Sequence, residues 1–378
     1  MAQSFAVELN PALLTWARET GGYSLDRAAA EIGIPSAELT TWEKGKAQPT
    51  WAVLCKLAKL YHRPVASLLL PAPPPEPPLP PDFRTLQSSR RALSPQTRFV
   101  IRTARWLVRT AANLEQQIGS QQPASLPSAT LQTDPESLAE RVRERLVIGV
   151  EEQARWKDDA QALQRWRRAV EQHQVFVFQF RLSLDEARGF SLVEQARPAI
   201  VLNRTDIPSA RSFTLFHELG HVLLSQPGIC LPAEGGIGRG KSVETFCNQF
   251  AAALLVPTID LEQHIPKALD ESNFRALARR YAVSRLVVLG RLRSLGIVSA
   301  AVYGRFSSQW NKRRHESLPD SRPTRRGPTA AQRCLFERGQ PFVSLVLAAA
   351  KRELITLNDA MTYLGTKVQG YRELTERA

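Results

Sequence analysis

A run of prolines divides this chain before any helix or strand can be assigned. Eight of the eleven residues from Pro71 to Pro81 are proline. Proline lacks the backbone N–H that helices and sheets require, and a run of prolines favours an extended polyproline II spacer. We therefore predict that residues 1–70 fold separately from the rest of the chain, with residues 71–82 as a linker.

Composition limits the classes of protein that can form on either side of this run. With 378 residues, the chain has room for two or three domains that each bury a core. Its four cysteines form no CxxC pair, which argues against a disulfide framework and favours a reducing compartment. The sequence shows no signal peptide and no apolar run of about 18 residues. We therefore expect a cytoplasmic protein that does not contact a membrane.

The formal net charge of +14 is unevenly distributed. Residues 1–70 hold 7 Lys and Arg against 6 Asp and Glu, whereas residues 84–122 hold 7 against 1 and residues 305–378 hold 14 against 7. A positive excess favours polyanionic partners, but solvated surface charge produces the same composition. Charge alone leaves both a nucleic-acid surface and an ordinary solvated surface open.

Hydrophobic periodicity predicts a mainly helical α+β fold. Apolar residues at helical spacing predict one helix over residues 95–118, two over residues 134–173 and another over about 209–225, which Pro-Gly would end. The apolar runs 175–180 and 199–203 predict buried strands. The last fifty residues predict two or three short helices. Helices around a small sheet are typical of the α+β class.

The segment FTLFHELGHVLL, residues 213–224, places polar functional groups in one of these apolar helices. His217 and His221 lie four residues apart, so their imidazoles leave the same helix face and can share one cation. Glu218 points to the adjacent surface and can reach a water on that cation without being a ligand. The pattern predicts a zinc site in which Glu218 is the general base. Arg211 is a candidate for stabilising an oxyanion.

A catalytic zinc site uses three protein ligands, so the two histidines need a third from elsewhere. We predict Glu244, at the start of a second helix over residues 243–257. Asn248, one turn later on the same face, is expected to hydrogen-bond a ligand. On the residues alone, Cys247 and His264 are alternative third ligands. The two histidines could also be ordinary polar residues on the flank of a helix.

Residues 24–50, SLDRAAAEIGIPSAELTTWEKGKAQPT, have the pattern of two helices joined by a tight turn. Gly33 suits the left-handed position of the turn, and Leu39 and Trp42 are expected in the core. The second helix, about residues 36–44, is expected to enter the major groove of DNA. The expected DNA contacts are Ser36, Glu38, Thr40, Thr41 and Lys44, with Lys46 and Gln48 on phosphates. A helical bundle without a DNA function would show the same local pattern.

Two sets of motifs resemble known families. The stretch WEKGKAQPT resembles an Xre-type helix-turn-helix, and HELGH with ETFCNQFAAALLVP resembles the ImmA/IrrE zinc metallopeptidases. The resemblance implies His217, His221 and Glu244 as zinc ligands and Glu218 as catalytic base, in agreement with the prediction from the residues. It also implies a gluzincin-like endopeptidase that cleaves a helix-turn-helix repressor in stress responses or mobile-element control.

Two departures from the Xre pattern concern the first helix pair. The usual serine that caps the recognition helix is Pro35, which leaves Ser36 to substitute, and the usual glutamine of the preceding helix is Leu25. A further segment, residues 274–296, also predicts a helix-turn-helix, with its turn at residues 282–284. Similar segments follow the peptidase core in the resembling family, and packing is a sufficient role for it.

These arguments predict five segments and one function. In chain order, the segments are 1–70, an Xre-type DNA-binding domain; 71–82, a linker; 83–270, a zinc peptidase domain; 271–304, a second helix-turn-helix-like segment; and 305–378, a basic helical region. The expected function is a zinc endopeptidase coupled to DNA binding, whose protein partner is a repressor or a neighbouring toxin. The alternative is a DNA-binding regulator or antitoxin-like protein whose zinc domain is sensory or structural. A homodimer is compatible with either function.

Overall fold

The computed structural model describes residues 6–76, 93–193, 197–225, 228–230, 242–316 and 327–377. The described residues form two compact units, one of residues 6–76 with 93–103 and one of the residues from 104 onward. Of the predicted linker, residues 71–76 lie outside helix and strand, and the remainder falls outside the described residues. None of the helices in the described part of the chain has the length and hydrophobicity that crossing a bilayer requires.

The first unit begins with four short helices and a turn of 3-10 helix. These elements are α1 (Pro11–Gly21), α2 (Leu25–Ile32), α3 (Ser36–Glu43), α4 (Trp51–Leu60) and the 3-10 turn (Val65–Leu69). Gly33 ends α2 with φ 76° and ψ 41°, in the left-handed conformation that the sequence predicts. Leu39 and Trp42 of α3 are buried, as predicted, among the apolar residues of the other helices.

The start of α3 differs from the prediction. Pro35 occupies the N-cap position and Ser36 is the first helical residue, so the expected capping by Ser36 is wrong. Proline holds φ near the value observed at this position, −64°, and its extended ψ of 140° leads directly into the helix. The N-cap residue Pro35 makes no side-chain hydrogen bond to the first turn of α3.

The predicted helix over residues 95–118 is present as α5 (Pro95–Ile118). Arg98 donates to the carbonyl oxygen of Glu19 at the end of α1, over 3.2 Å. Arg102 donates to the carbonyl oxygen of Tyr61 at the end of α4, over 2.9 Å. Cations stabilise the carboxyl ends of helices, where carbonyl groups lack partners. The first turns of α5, which follow the proline run in the chain, therefore belong to the first unit.

In the described residues, the second unit is built on a four-stranded sheet. Its strands are β1 (Phe176–Phe180), β2 (Gly189–Leu192), β3 (Ala199–Asn203) and β4 (Gly228–Cys230), in the order β1-β3-β2-β4. β1 is parallel to β3, whereas β2 is antiparallel to β3 and β4. The sequence predicted β1 and β3. It missed β2 and β4, which have only four and three residues and therefore too little periodicity to detect.

Helices cover this sheet and carry the predicted motifs. They are α6 (Pro135–Leu146), α7 (Val150–Ala154), α8 (Asp159–Gln172), α9 (Pro208–Leu223), α10 (Val243–Leu255), α11 (Thr258–Gln263), α12 (Glu271–Tyr281), α13 (Arg285–Ser294) and α14 (Ala300–Glu316). Residues 134–173 thus form three helices rather than two, because the short α7 lies between α6 and α8. α9 ends at Leu223, two residues before the predicted end. Of the predicted Pro-Gly stop, Pro227 lies outside the described residues and Gly228 begins β4.

The carboxyl-terminal region forms four helices rather than the two or three predicted. They are α15 (Ala330–Arg338), α16 (Gln340–Lys351), α17 (Leu357–Leu364) and α18 (Val368–Thr375). Phe342 of α16 packs edge-on against Phe176 and Phe178 of β1, with ring centroids 6.0 and 5.6 Å away. This region therefore covers β1 and belongs to the second unit.

The second predicted helix-turn-helix is formed by α12 and α13. Ala282 ends α12 in the left-handed conformation, with φ 49°, and Ser284 caps α13. Six consecutive residues of α13, Val287–Leu292, are buried. A recognition helix must expose one face to a groove, so the burial of these six residues agrees with the packing role that the sequence analysis considered sufficient for this pair.

Candidate metal centre

Helix α9 carries the HExxH residues into the core of the second unit. It packs against α8, α10, β2 and β3. His217, Glu218 and His221 are each at most 1% exposed. Burial of three polar side chains is costly unless each has a partner, so their arrangement requires a chemical explanation.

Two imidazoles and one carboxylate converge at this place. The Nε2 atoms of His217 and His221 are 3.2 Å apart. Glu244 of α10 places one carboxylate oxygen 3.4 Å from His217 Nε2 and the other 3.3 Å from His221 Nε2. One candidate ligand atom from each residue lies within 4.8 Å of the other two. Two imidazole nitrogens and a carboxylate are a donor set that zinc accepts, so these residues fit the ion.

Burial alone would raise the pKa of the Glu244 carboxyl, but hydrogen bonds from His217 and His221 outweigh it and hold that pKa below its usual range. The carboxyl group is therefore ionised at neutral pH. A carboxylate ligand must be ionised to bind a cation, so the electrostatics agree with a ligand role for Glu244.

Asn248 lies beside the histidines on α10, one turn after Glu244. Its Oδ1 atom is 2.9 Å from Nδ1 of His217. When Oδ1 accepts this hydrogen bond, Nδ1 carries the proton, which leaves Nε2 as the nitrogen that would bind a cation in place of its hydrogen bond to Glu244. The amide thus holds the imidazole in the orientation that a ligand needs.

The carboxyl end of α10 is fixed by buried polar side chains that sequence reasoning missed. Arg143 donates to the carbonyl oxygen of Leu254 over 2.7 Å, and Gln153 donates to that of Leu255 over 2.9 Å. Arg143 also donates to Gln153. These bonds satisfy carbonyl groups that a helix end leaves without partners. The only signal in the sequence was a polar residue at a core position of a predicted helix.

Neither alternative third ligand belongs to the metal group in the described residues. Cys247 is buried against Gly220 of α9, where an added Cβ would lie 3.0 Å from the sulfur. His264 lies near the surface, with Nδ1 2.7 Å from the carbonyl oxygen of Asp260. Cys247 therefore acts as a spacer between α9 and α10, and His264 caps its own helical turn.

Glu218 packs against strand β2 at Gly189, a residue that sequence reasoning also missed. A Cβ at Gly189 would lie 3.6 Å from Cγ of Glu218, 2.7 Å from the carbonyl oxygen of Val201 and 2.6 Å from Cγ2 of Thr214. Only glycine allows α9 to approach the sheet this closely. The close approach places the Glu218 side chain beside β2.

Arg211, the oxyanion candidate, is engaged elsewhere. Its guanidinium donates to Oε1 of Gln179 on β1 and lies over the ring of Phe336 on α15, 5.6 Å from the centroid. These contacts hold Arg211 between the sheet and the carboxyl-terminal helices, and they offer no support for an oxyanion role.

The predicted DNA-contacting residues lie on or directly after α3. Glu38, Lys44 and Lys46 are exposed, whereas Ser36, Thr40, Thr41 and Gln48 are half-buried. The hydroxyl of Thr40 donates to the carbonyl oxygen of Ser36, and that of Thr41 to the carbonyl oxygen of Ala37, each over 2.8 Å. The threonine hydroxyls have thus used their protons within the helix.

Comparison with family models agrees with the two motifs. Residues 170–293 match the peptidase M78 family model, whose description is IrrE N-terminal-like domain. Residues 12–69 match a model described as a helix-turn-helix domain. No curated protein matches the chain. The first match includes α9 and α10, and the second includes α2 and α3, so the resemblance to an ImmA/IrrE domain behind a helix-turn-helix is confirmed.

Proposed function

Since this chain joins a helix-turn-helix DNA-binding domain to an IrrE N-terminal-like peptidase domain, we propose that it is a zinc-dependent endopeptidase that cleaves a partner transcriptional repressor. One observation carries the proposal: three donor side chains from two helices converge, and Glu218 lies beside them without belonging to the group. Structural zinc sites use four protein ligands, whereas catalytic sites use three and keep one position open. The donor set in the described residues has the catalytic number.

A zinc ion in this site would lower the pKa of a bound water to about 7 and polarise the scissile carbonyl. Glu218 would take a proton from the attacking water on its carboxylate and deliver it to the nitrogen of the leaving amine. Asn248 would keep His217 in one tautomer, and Glu244 would compensate the positive charge. Burial of Glu218 beside β2 would exclude competing water from its carboxylate.

The DNA-binding role assigned to α3 is supported by the hydrogen bonds of its threonines. Because the Thr40 and Thr41 hydroxyls donate within the helix, their oxygens are left as acceptors. In the major groove, these hydroxyl oxygens would accept hydrogen bonds from the amino groups of adenine or cytosine. The threonine methyl groups would contact the methyl group of thymine. Lys44 and Lys46, both exposed, would contact phosphates.

The peptidase role can be tested without knowing the substrate. Cells expressing either the wild-type chain or Glu218→Gln are compared by mass spectrometry of protein amino termini. The proposal expects at least one new terminus, within a DNA-binding regulator or a toxin, in wild-type cells only. Gln is nearly isosteric with Glu, so zinc binding and stability should be retained as the control.

A regulator with a sensory or structural zinc site makes the opposite forecast. Glu218→Gln would then leave both the pattern of termini and target-gene expression unchanged, while substitution of a ligand would disturb both. That pair of results would replace the peptidase by the regulator.

A further inference from the structure

The last two helices of the chain repeat the geometry of α2 and α3. In each pair an eight-residue helix ends at a glycine in the left-handed conformation, and a second eight-residue helix begins three positions after that glycine. Gly365 has φ 63° and ψ 35°, close to the 76° and 41° of Gly33. The residue after each glycine donates its N–H to the carbonyl five positions earlier, which joins Ile34 to Ala29 and Thr366 to Met361.

The first helices of the two pairs also begin and pack alike. Ser24 and Thr356 each cap their helix by accepting a hydrogen bond from the backbone N–H three residues later. Ala28 and Ala360, four residues after these caps, are both fully buried. A small buried side chain at this position allows the two helices of such a pair to cross closely.

The turn alone does not identify a DNA-binding pair, because α12 and α13 are also joined through a left-handed residue, Ala282, and six of the ten residues of α13 are buried. α18 differs from α13 in this respect. It buries Gly370 and Leu374 and leaves the remaining residues exposed or half-buried. Gly370 lies against Ala330 of α15, where an added Cβ would come within 2.8 Å of the Ala330 side chain. One face of α18 is therefore anchored and the opposite face is open.

The open face of α18 carries side chains suited to a duplex. Lys367, Gln369 and Arg372 are exposed, and none of the three makes a side-chain hydrogen bond or ion pair within the described part of the chain. Glutamine amides pair with adenine in the major groove, and lysine and arginine pair with phosphates or guanine. The exposed Val368 suits a thymine methyl group.

The cations of this helix pair lie on and beside its second helix. Residues 356–377 hold three Lys and Arg against three Asp and Glu, and all three cations, Lys367, Arg372 and Arg377, are exposed. Exposed cations raise the association rate and the affinity for nucleic acid. We infer that α17 and α18 form a second helix-turn-helix that binds duplex DNA, with α18 as its recognition helix.

The inference is tested by salt-dependent binding of the full-length chain to a fluorescein-labelled duplex of random sequence. The parent protein carries Lys44→Gln and Lys46→Gln, which weakens the contribution of α3. The test protein adds Lys367→Gln and Arg372→Gln. Each lost phosphate contact should lower the slope of log affinity against log salt by about 0.9, so the two substitutions together should lower it by about 1.8.

A matched control removes the same charge from another surface. Arg141 and Arg165 are exposed on α6 and α8, and Arg141→Gln with Arg165→Gln should leave the slope unchanged. Equal melting temperatures of all proteins would show that the surface changes leave the fold intact.

An unchanged slope in the test protein would overturn the inference and would favour a protein partner for the exposed Val368. An equal loss in the control would overturn it too, because attraction would then be diffuse. If α3 did not bind DNA, Lys44→Gln and Lys46→Gln alone would leave the slope of the wild type unchanged. The additional effect of Lys367→Gln and Arg372→Gln does not depend on that result.

Discussion

The crossing of α9 and α10 holds the ligand helices together, and Gly220→Ala should loosen it. A Cβ at Gly220 would lie 3.0 Å from the sulfur of Cys247 and 3.2 Å from its Cα and Cβ atoms. The Cα atom belongs to the backbone of α10, so rotating a side chain cannot relieve the overlap and the helices must separate. Overpacking of this kind costs about 1–3 kcal/mol.

The magnitude follows from comparison with a second helical glycine in the same unit. Replacing glycine by alanine inside a helix contributes about 1 kcal/mol of stability through propensity. Gly304 of α14 has no atom within 4 Å of an added Cβ, so Gly304→Ala should gain this amount. Gly220→Ala gains the same helix propensity but also has the overpacking cost of about 1–3 kcal/mol. The difference is a net destabilisation of about 0–2 kcal/mol.

Zinc affinity should report the separation more directly than stability does. His221 follows Gly220 in the chain, and its Nε2 atom is 3.3 Å from the Glu244 carboxylate on the opposite helix. About 1.4 kcal/mol of strain at this contact would weaken zinc binding roughly tenfold. Thermal melts measure the change in stability, and competition with a chromogenic chelator measures the change in zinc affinity.

Adding Cys247→Ala to Gly220→Ala removes the sulfur contact and should restore part of the stability and part of the zinc affinity. If Gly220→Ala raised the melting temperature as Gly304→Ala does and kept full zinc affinity, the packing argument would be refuted.

Three further predictions concern the surroundings of the site and the first unit. Asn248→Ala should lower zinc affinity by about 10- to 100-fold in chelator competition, because His217 loses its orienting hydrogen bond; unchanged affinity would contradict this. A fragment of residues 1–103 should melt at a higher temperature than one of residues 1–76, because only the longer fragment contains the α5 arginines that bind the ends of α1 and α4; equal melting temperatures would refute that role. Hydrogen bonds from Arg280, opposed in part by burial, hold the pKa of Asp260 below its usual range, so its contribution to stability is present above about pH 4 and is lost as pH falls further. Below about pH 4, the melting temperature of Asp260→Asn should therefore fall less steeply with decreasing pH than that of the wild type. Equal slopes in the two proteins would show that Asp260 makes no such contribution to stability.

Local sequence determined the helices that carry the chemistry. Apolar spacing, the HExxH pattern and a following ExxxN predicted α9 and α10, because side chains four residues apart share a helix face irrespective of the rest of the fold. Apolar spacing likewise predicted α5, and the conformational freedom of glycine predicted the turn at Gly33. These features depend on interactions within a few residues, which a single sequence contains.

Features that depend on contacts between distant segments escaped prediction. β2 and β4 are too short for a periodic signal, and they become strands because β3 and β2 supply the hydrogen bonds. The need for glycine at residues 189 and 220 arises only where α9 meets β2 and α10. The burial of α13 and the place of residues 93–103 in the first unit also depend on packing partners far away in the chain.

The zinc content of three purified proteins tests the central claim most directly. Elemental analysis of the wild type, Glu218→Gln and Glu244→Gln, each after reconstitution and removal of loosely bound metal, gives the number of zinc ions per chain. With His217, His221 and Glu244 as ligands and Glu218 as base, we expect about one zinc in the wild type and in Glu218→Gln, and nearly none in Glu244→Gln. No stoichiometric zinc in the wild type, or full retention in Glu244→Gln, would contradict the account.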